Sequence, residues 1–221
     1  PVSVSAQKTK ALISWLACHG EQAQPRDRLA ALLWSDRSVA NAKASLRQAV
    51  AGLRKLLPEQ SLISSGEYLS LNAACVSSDI DRFRQWRNGG EVKTLRECLA
   101  CYRGDLLDGF NARSATFEDW LLLEREALRR EALAGFQQLL EIEQQRGTTA
   151  DAIAAAGSLL ALDPLQESIH RKLIQLYAKD GQLGSARRQF TVCRDVLRKE
   201  LDAPPAPETV ALFNSLGDAV H

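Results

Sequence analysis

The sequence predicts a mainly α-helical protein, a winged helix-turn-helix followed by a tetratricopeptide-like helical repeat, and three observations carry that reading. Ala, Leu, Arg, Glu and Gln dominate, whereas Phe, Trp and Tyr together make up only 6% of the chain, a composition that favours helices. From residue 79 onward apolar residues recur at the spacing of long helices with short breaks. Alternating runs, the mark of strands, are short and confined to the N-terminal third. At 221 residues with 45% hydrophobic content, the chain has the length and composition of a soluble protein with one large or two modest domains. We divide it at 78, into 1–78 and 79–221.

Residues 1–4 alternate like a short strand. Residues 7–19 then read as a helix with Ala11, Leu12, Trp15 and Leu16 inward, ended by Gly20. Pro25 stands at the start of a short second helix, whose apolar face is Leu29, Leu32, Leu33 and Trp34. Ser38 can cap a third helix running to Leu57, where Pro58 stops it. One stripe of that helix is apolar: Ala42, Leu46, Ala49, Val50, Leu53 and Leu57. Lys43, Arg47, Gln48, Arg54 and Lys55 fall outside the stripe, and residues 37–57 hold five Lys or Arg and no Asp or Glu. A helix that buries one face and offers Arg, Lys, Gln and Asn on the other suits the major groove of DNA, where Arg reads guanine and Asn or Gln reads adenine. An ordinary core helix with a solvated basic face has the same pattern.

The run LISSGEYLSLN follows, two alternating stretches about Ser65 and Gly66, and predicts a hairpin. Three helices and a hairpin in this order make a winged helix, with the third helix in the major groove and the wing at backbone or minor groove beside it. A small α+β domain that binds protein would use the same elements.

After residue 78 we expect a short helix over 79–86, another over 91–103, and one long or broken helical stretch over 115–146. A repeat then emerges. Phe136 and Leu139 lie on a first helix, Ala152 opens the close packing of a second, and Pro164 ends it. A step of about 34 residues, the tetratricopeptide period, puts His170 and Leu173 in the first positions and Ala186 on Ala152. Tyr177, Phe190 and Cys193 take the aromatic, aromatic and small positions that follow. Such helix pairs stack because neither buries its apolar face alone, and their concave surface binds protein or peptide. A bundle without repeats is the alternative.

The formal net charge of +1 hides an asymmetry, since residues 1–72 carry net +4 and the remainder net −3. That is the distribution expected when only one part meets a polyanion. Five cysteines, Cys18, Cys75, Cys98, Cys101 and Cys193, without a disulfide-like pattern point to a reduced, cytoplasmic setting. Cys98 and Cys101 form a lone CxxC on an expected helix, with no second pair to complete a metal site. His19, His170 and His221 are scattered, and no metal or cofactor is expected. No apolar run reaches membrane-span length and no secretory leader is seen. Position 1 is Pro and the chain holds no Met, consistent with initiator removal or with a piece of a longer chain. Phosphate-binding glycine loops and the GxSxG elbow are absent, so we expect no enzyme. Glu124 with Glu126, and Glu141 with Glu143, fall on different helix faces, and we read all four as solvated surface.

The runs QKTKALISWLACHG, RDRLAALLW, AKASLRQAVAGLRKLL, GEYLSL, DIDRF, YRGDLLDGF and FEDWLLLERE resemble, in order, the SARP-type bacterial transcriptional activators, which join an OmpR-like winged helix to a bacterial transcriptional activator domain. The likeness covers essentially the whole chain, and residues 102–110 with 117–126 are its most specific part. It implies that residues 38–57 are the recognition helix and 61–72 the wing. It implies binding to repeats in double-stranded DNA as a homodimer or tandem pair, with recruitment of RNA polymerase. Lys8 and Lys10 match basic positions at the start of the family's first helix, near phosphate. One departure stands out: OmpR-like domains begin with a small antiparallel sheet, of which residues 1–4 could supply only the last strand.

The sequence therefore points to a sequence-specific DNA-binding activator. Arg47 and Gln48 are the candidates for base contact, supported by Asn41 and Lys43 near the helix start. Arg54, Lys55, Lys8 and Lys10 are candidates for phosphate, and Ser65 and Gly66 for the wing tip. The rival is a protein-interaction scaffold in which the repeats bind one partner and the winged helix another.

Overall fold

The computed structural model describes residues 6–218, with side chains to 216. The strand expected at residues 1–4 lies outside the described residues. The chain divides into two compact units, Pro1–Gly89 with Glu97–Leu128, and Gly90–Arg96 with Arg129–His221. Among the described residues no helix is long and apolar enough to cross a membrane.

In the first unit, α1 (Gln7–His19), α2 (Arg26–Leu33) and α3 (Val39–Leu56) form a three-helix core beside β1 (Gln24–Pro25), β2 (Leu62–Ser65) and β3 (Tyr68–Leu71). The strand order is β1-β3-β2, all antiparallel. Sequence reading made Pro25 the start of the second helix; it is instead the last residue of β1, and Arg26 is the first helical residue. Pro25 can do this because β1 is an edge strand, where a missing N–H costs no ladder bond. Gln24, expected in a polar connection, is buried: its Oε1 accepts from Trp15 Nε1 at 3.2 Å and its Nε2 donates to the Gln22 carbonyl.

The apolar stripes read from the sequence are the core. Leu12 and Leu16 of α1, Leu29 and Leu33 of α2, Leu46 and Leu53 of α3, and Leu69 of β3 are fully buried together. Ala112, Phe117 and Leu121, far along the chain, complete this same cluster. The segment that brings them also closes α2, because Ser114 Oγ donates to the Leu32 carbonyl at 2.6 Å. A helix end leaves such carbonyls without partners in its own ladder. The rest of the unit includes α4 (Asp79–Arg84), a 3-10 turn (Gln85–Asn88) and the first part of α6 (Ala115–Arg146). Ser78 and Asp81 form a reciprocal capping box at the start of α4. The expected helix over 91–103 is α5, Val92–Leu99, so Cys101 lies in the turn beyond it.

The second unit is helical: the later part of α6, then α7 (Thr149–Leu162), α8 (Glu167–Lys179), α9 (Leu183–Leu201) and α10 (Pro207–Asp218). Ala152 and Ala186, one repeat period apart, are both fully buried, on α7 and α9. Their methyl groups let a neighbouring helix approach closely. Phe190 stacks on Phe213 of α10 at 4.1 Å between centroids.

Two acidic residues read as solvated surface are paired instead. Glu143 is fully buried, accepting from Arg96 at 2.7 Å and from the Thr148 hydroxyl, while Arg96 also pairs with Asp151. Glu124 accepts from Arg84 at 2.7 Å. Burial alone would push the Glu143 carboxyl up; the Thr148 and Arg96 hydrogen bonds outweigh it and hold the group below the usual carboxylate range.

Candidate nucleic-acid interface

Ser38 opens α3 by accepting from the Asn41 N–H at 3.4 Å, and Leu57 closes it in extended conformation. Docking of Ala42, Leu46, Ala49, Val50 and Leu53 on the core fixes which face looks outward. Helical geometry then places Ala40, Ala44 and Ala51 along the middle of the outer face. Lys43, Arg47 and Arg54 flank that alanine line on one side, Asn41, Gln48 and Lys55 on the other. No carboxylate interrupts the face. Three alanines leave nothing to hold the helix axis off a groove floor, and a methyl can meet a thymine methyl.

The wing is anchored to this helix. Gly66 sits at φ 56° as the first residue of the two-residue β2–β3 turn, while Glu67 is not in the left-handed region, the arrangement of a II′ hairpin turn. Ser64 Oγ accepts from Arg54 at 2.6 Å and from Arg26 at 3.1 Å, so one hydroxyl ties β2 to both α2 and α3. The Arg26 N–H also donates to the Glu67 carbonyl at 2.8 Å. Arg26, Asp27, Lys43, Arg47, Gly66 and Glu67 border an open notch of about 350 Å³ between the wing tip and the two helices.

The candidate residues differ in how free they are. Arg47, Gln48, Lys55, Asn41, Ser65 and Gly66 are exposed, with Ser65 and Gly66 at the hairpin tip. Lys43 is half-buried and bound to Asp27 at 2.8 Å, and that hydrogen bond raises its pKa. Arg54 is exposed but engaged on Ser64. Lys8 points elsewhere: its ammonium donates to the carbonyls of Leu33 and Arg113, the latter at 2.9 Å, and burial lowers its pKa. Lys10 is exposed and lies over the Phe110 ring at 5.1 Å. Thus α3 and the wing form one surface, and Lys8 serves the end of α2.

Sequence reasoning missed Arg26, Arg37 and Ser64. Arg37 donates to Ser45 Oγ at 2.8 Å, and Ser45 in turn donates to the Asn41 carbonyl, which steadies the first turn of α3. Arg26 was legible in principle as the cation at the start of the second helix. Ser64 was not, since its role depends on the hairpin register.

The profile of the bacterial transcriptional activator domain matches residues 71–216. Among curated proteins, the regulatory protein AfsR of Streptomyces griseus is 24% identical over 230 residues, covering 96% of this chain and 22% of its own length. AfsR of Streptomyces coelicolor is 23% identical over 218 residues, covering 93% of this chain and 21% of its own. The chain thus spans about a fifth of these relatives. Among solved structures, Mycobacterium tuberculosis EmbR, in complex with a low-affinity phosphopeptide, aligns over 99% of this chain and 61% of its own with a TM-score of 0.66 at 22% identity. That likeness is one of fold.

Proposed function

The chain belongs to the bacterial transcriptional activator domain family, as a SARP-type activator, and from that premise we propose that it binds specific double-stranded DNA and activates transcription by recruiting RNA polymerase. In this reading α3 lies in the major groove, with Arg47 and Gln48 on base edges and Asn41 and Lys43 beside them. Arg54, Lys55 and Lys10 meet phosphate, joined by Arg26, and the tip at Ser65 and Gly66 meets the adjacent backbone or minor groove. Lys8 drops out, because its ammonium already serves two carbonyls. Residues 1–78 carry DNA contact, and 79–221 carry association into a dimer or tandem pair and contact with the polymerase.

The observation that carries this reading is the acid-free outer face of α3, alanine-lined and tied to a wing through Ser64. The exposed side chains of α3 and the wing tied to it by Ser64 then offer one surface on which base and phosphate contacts can be divided. The test is selection of bound duplexes from a random pool, followed by anisotropy titrations over a salt series. A selected sequence bound more tightly than random DNA, with a steep salt dependence, supports the reading; equal, salt-insensitive binding overturns it. Transcription assays with purified polymerase on that sequence test activation separately.

A further inference from the structure

We propose that the first unit carries a binding site for a planar aromatic carboxylate, in the cleft between α2, the start of α3 and the start of α6. The cleft has a volume of about 900 Å³, within the range of small-molecule sites. Trp15, Trp34, Trp120 and Leu123 supply apolar and aromatic surface. Leu123 is 70% exposed and Val39, also on the lining, 73%. Trp15 and Trp34 are almost wholly buried, at 2% and 5% exposed, so the open apolar surface is Leu123, Val39 and the half-buried Trp120, and it suits a flat ring system.

Charge identifies the other end of the ligand. Arg28, Arg37, Lys43 and Asp27 line the cleft, and Asp27 is already paired with Lys43. Two guanidiniums therefore remain in excess, one 5.4 Å from the Trp15 ring and the other within reach of Ser45 Oγ. A guanidinium fork matches a carboxylate in two parallel hydrogen bonds.

The site is coupled to α3. The Asp27–Lys43 pair borders both this cleft and the notch beside the wing, and Arg37 holds Ser45 on the first turns of the helix. A carboxylate that draws Arg37 or Lys43 toward the cleft changes the charge α3 presents. By linkage, DNA must then change ligand affinity by the same factor. This coupling, unlike the site itself, rests on the DNA-binding reading.

The probe is 2-naphthoate, titrated into the full chain without DNA by calorimetry and tryptophan fluorescence. One saturable site is expected, weakened roughly tenfold for the neutral 2-naphthamide and for Arg37→Ala, the effect of losing one charge-assisted contact. Ala31→Phe and, on α6, Thr116→Phe fill the cleft from exposed positions and should each abolish binding while leaving the thermal melt unchanged. Absence of saturable binding, or binding that survives both blocking variants, overturns the site. Repeating the titration on a DNA complex tests the coupling alone: equal affinity with and without DNA removes the coupling and leaves the site standing.

Discussion

Lys43 and Arg47 lie one turn apart on α3, yet they bring unequal free charge to a ligand. Lys43 is paired with Asp27 at 2.8 Å, which offsets the charge it offers to a phosphate or base; Arg47 is exposed beside Gln48. Arg47→Ala should therefore cost specific binding about 1–3 kcal/mol, as for a bidentate base contact, and cost random DNA much less. Lys43→Ala should cost less than Arg47→Ala on either DNA. Gel-shift titrations on both duplexes decide this, and equal losses for Arg47→Ala would make it a phosphate contact. Glu143 offers a residue-scale prediction in the second unit. Its carboxyl is held below the ordinary range by Thr148 and Arg96, against the opposing effect of burial. Ionised, it therefore stabilises the fold fully above the unfolded value of about 4.3, and this contribution is lost as pH falls through the lower folded value. Glu143→Gln should flatten the acid limb of stability against pH, while Arg96→Ala, which leaves a buried carboxylate with one partner fewer, should steepen destabilisation at neutral pH. Thermal melts from pH 7 to pH 3 distinguish the two; parallel curves for wild type and Glu143→Gln would refute the assignment.

The wing joins the α3 surface through Ser64, which takes hydrogen bonds from Arg26 and Arg54, and it ends in an exposed tip at Ser65 and Gly66. Ser65→Glu places a negative charge at that tip without disturbing a buried group. If the tip faces phosphate, affinity should fall and the melt should stay unchanged; unaltered affinity would mean that the hairpin only packs on the helices. Elements of this kind differ in how far the sequence disclosed them. The apolar stripe of α3, its Ser38 cap and the span Ala115–Arg146 were all legible, because helical periodicity and capping are local. Strand β1 was not, since its two residues are defined by pairing with Tyr68 and Leu69. For the same reason Glu143 was misread as surface: its partner Arg96 stands 47 positions away, just as Arg26 stands 38 from Ser64. Lys8 shows the converse, a basic residue placed at phosphate by resemblance whose partners, the Leu33 and Arg113 carbonyls, only the fold reveals.

At the scale of the molecule, the cut at 78 that composition suggests runs through a packed core. Ala112, Phe117 and Leu121 belong to the cluster built by α1, α2, α3 and β3, and burying a Phe or Leu side chain is worth about 1.5–3 kcal/mol each. Losing two such side chains is serious when whole domains retain only about 5–15 kcal/mol. Residues 1–78 should thus melt well below 1–128 by circular dichroism, and a shared melting temperature would show that the later segment adds nothing to that core. DNA affinity should follow the intact unit, whereas pairing on DNA should need the whole chain. The remainder beyond residue 72 carries net −3, which opposes phosphate, while its stacked helices offer surface for association. If two copies associate there, a second DNA-binding unit engages its half-site at high effective concentration. The full chain should then bind paired half-sites more tightly than a single one, while 1–128 binds both alike. Each phosphate neutralised adds roughly −0.9 to the log-log salt slope, so the paired complex of the full chain should also show about twice the slope of the single-site complex. Anisotropy across a salt series, with sedimentation of the same samples, reads both quantities. A full chain that remains monomeric on DNA and shows no preference for paired sites would refute the dimer, and would leave the helical unit as a surface for partners alone.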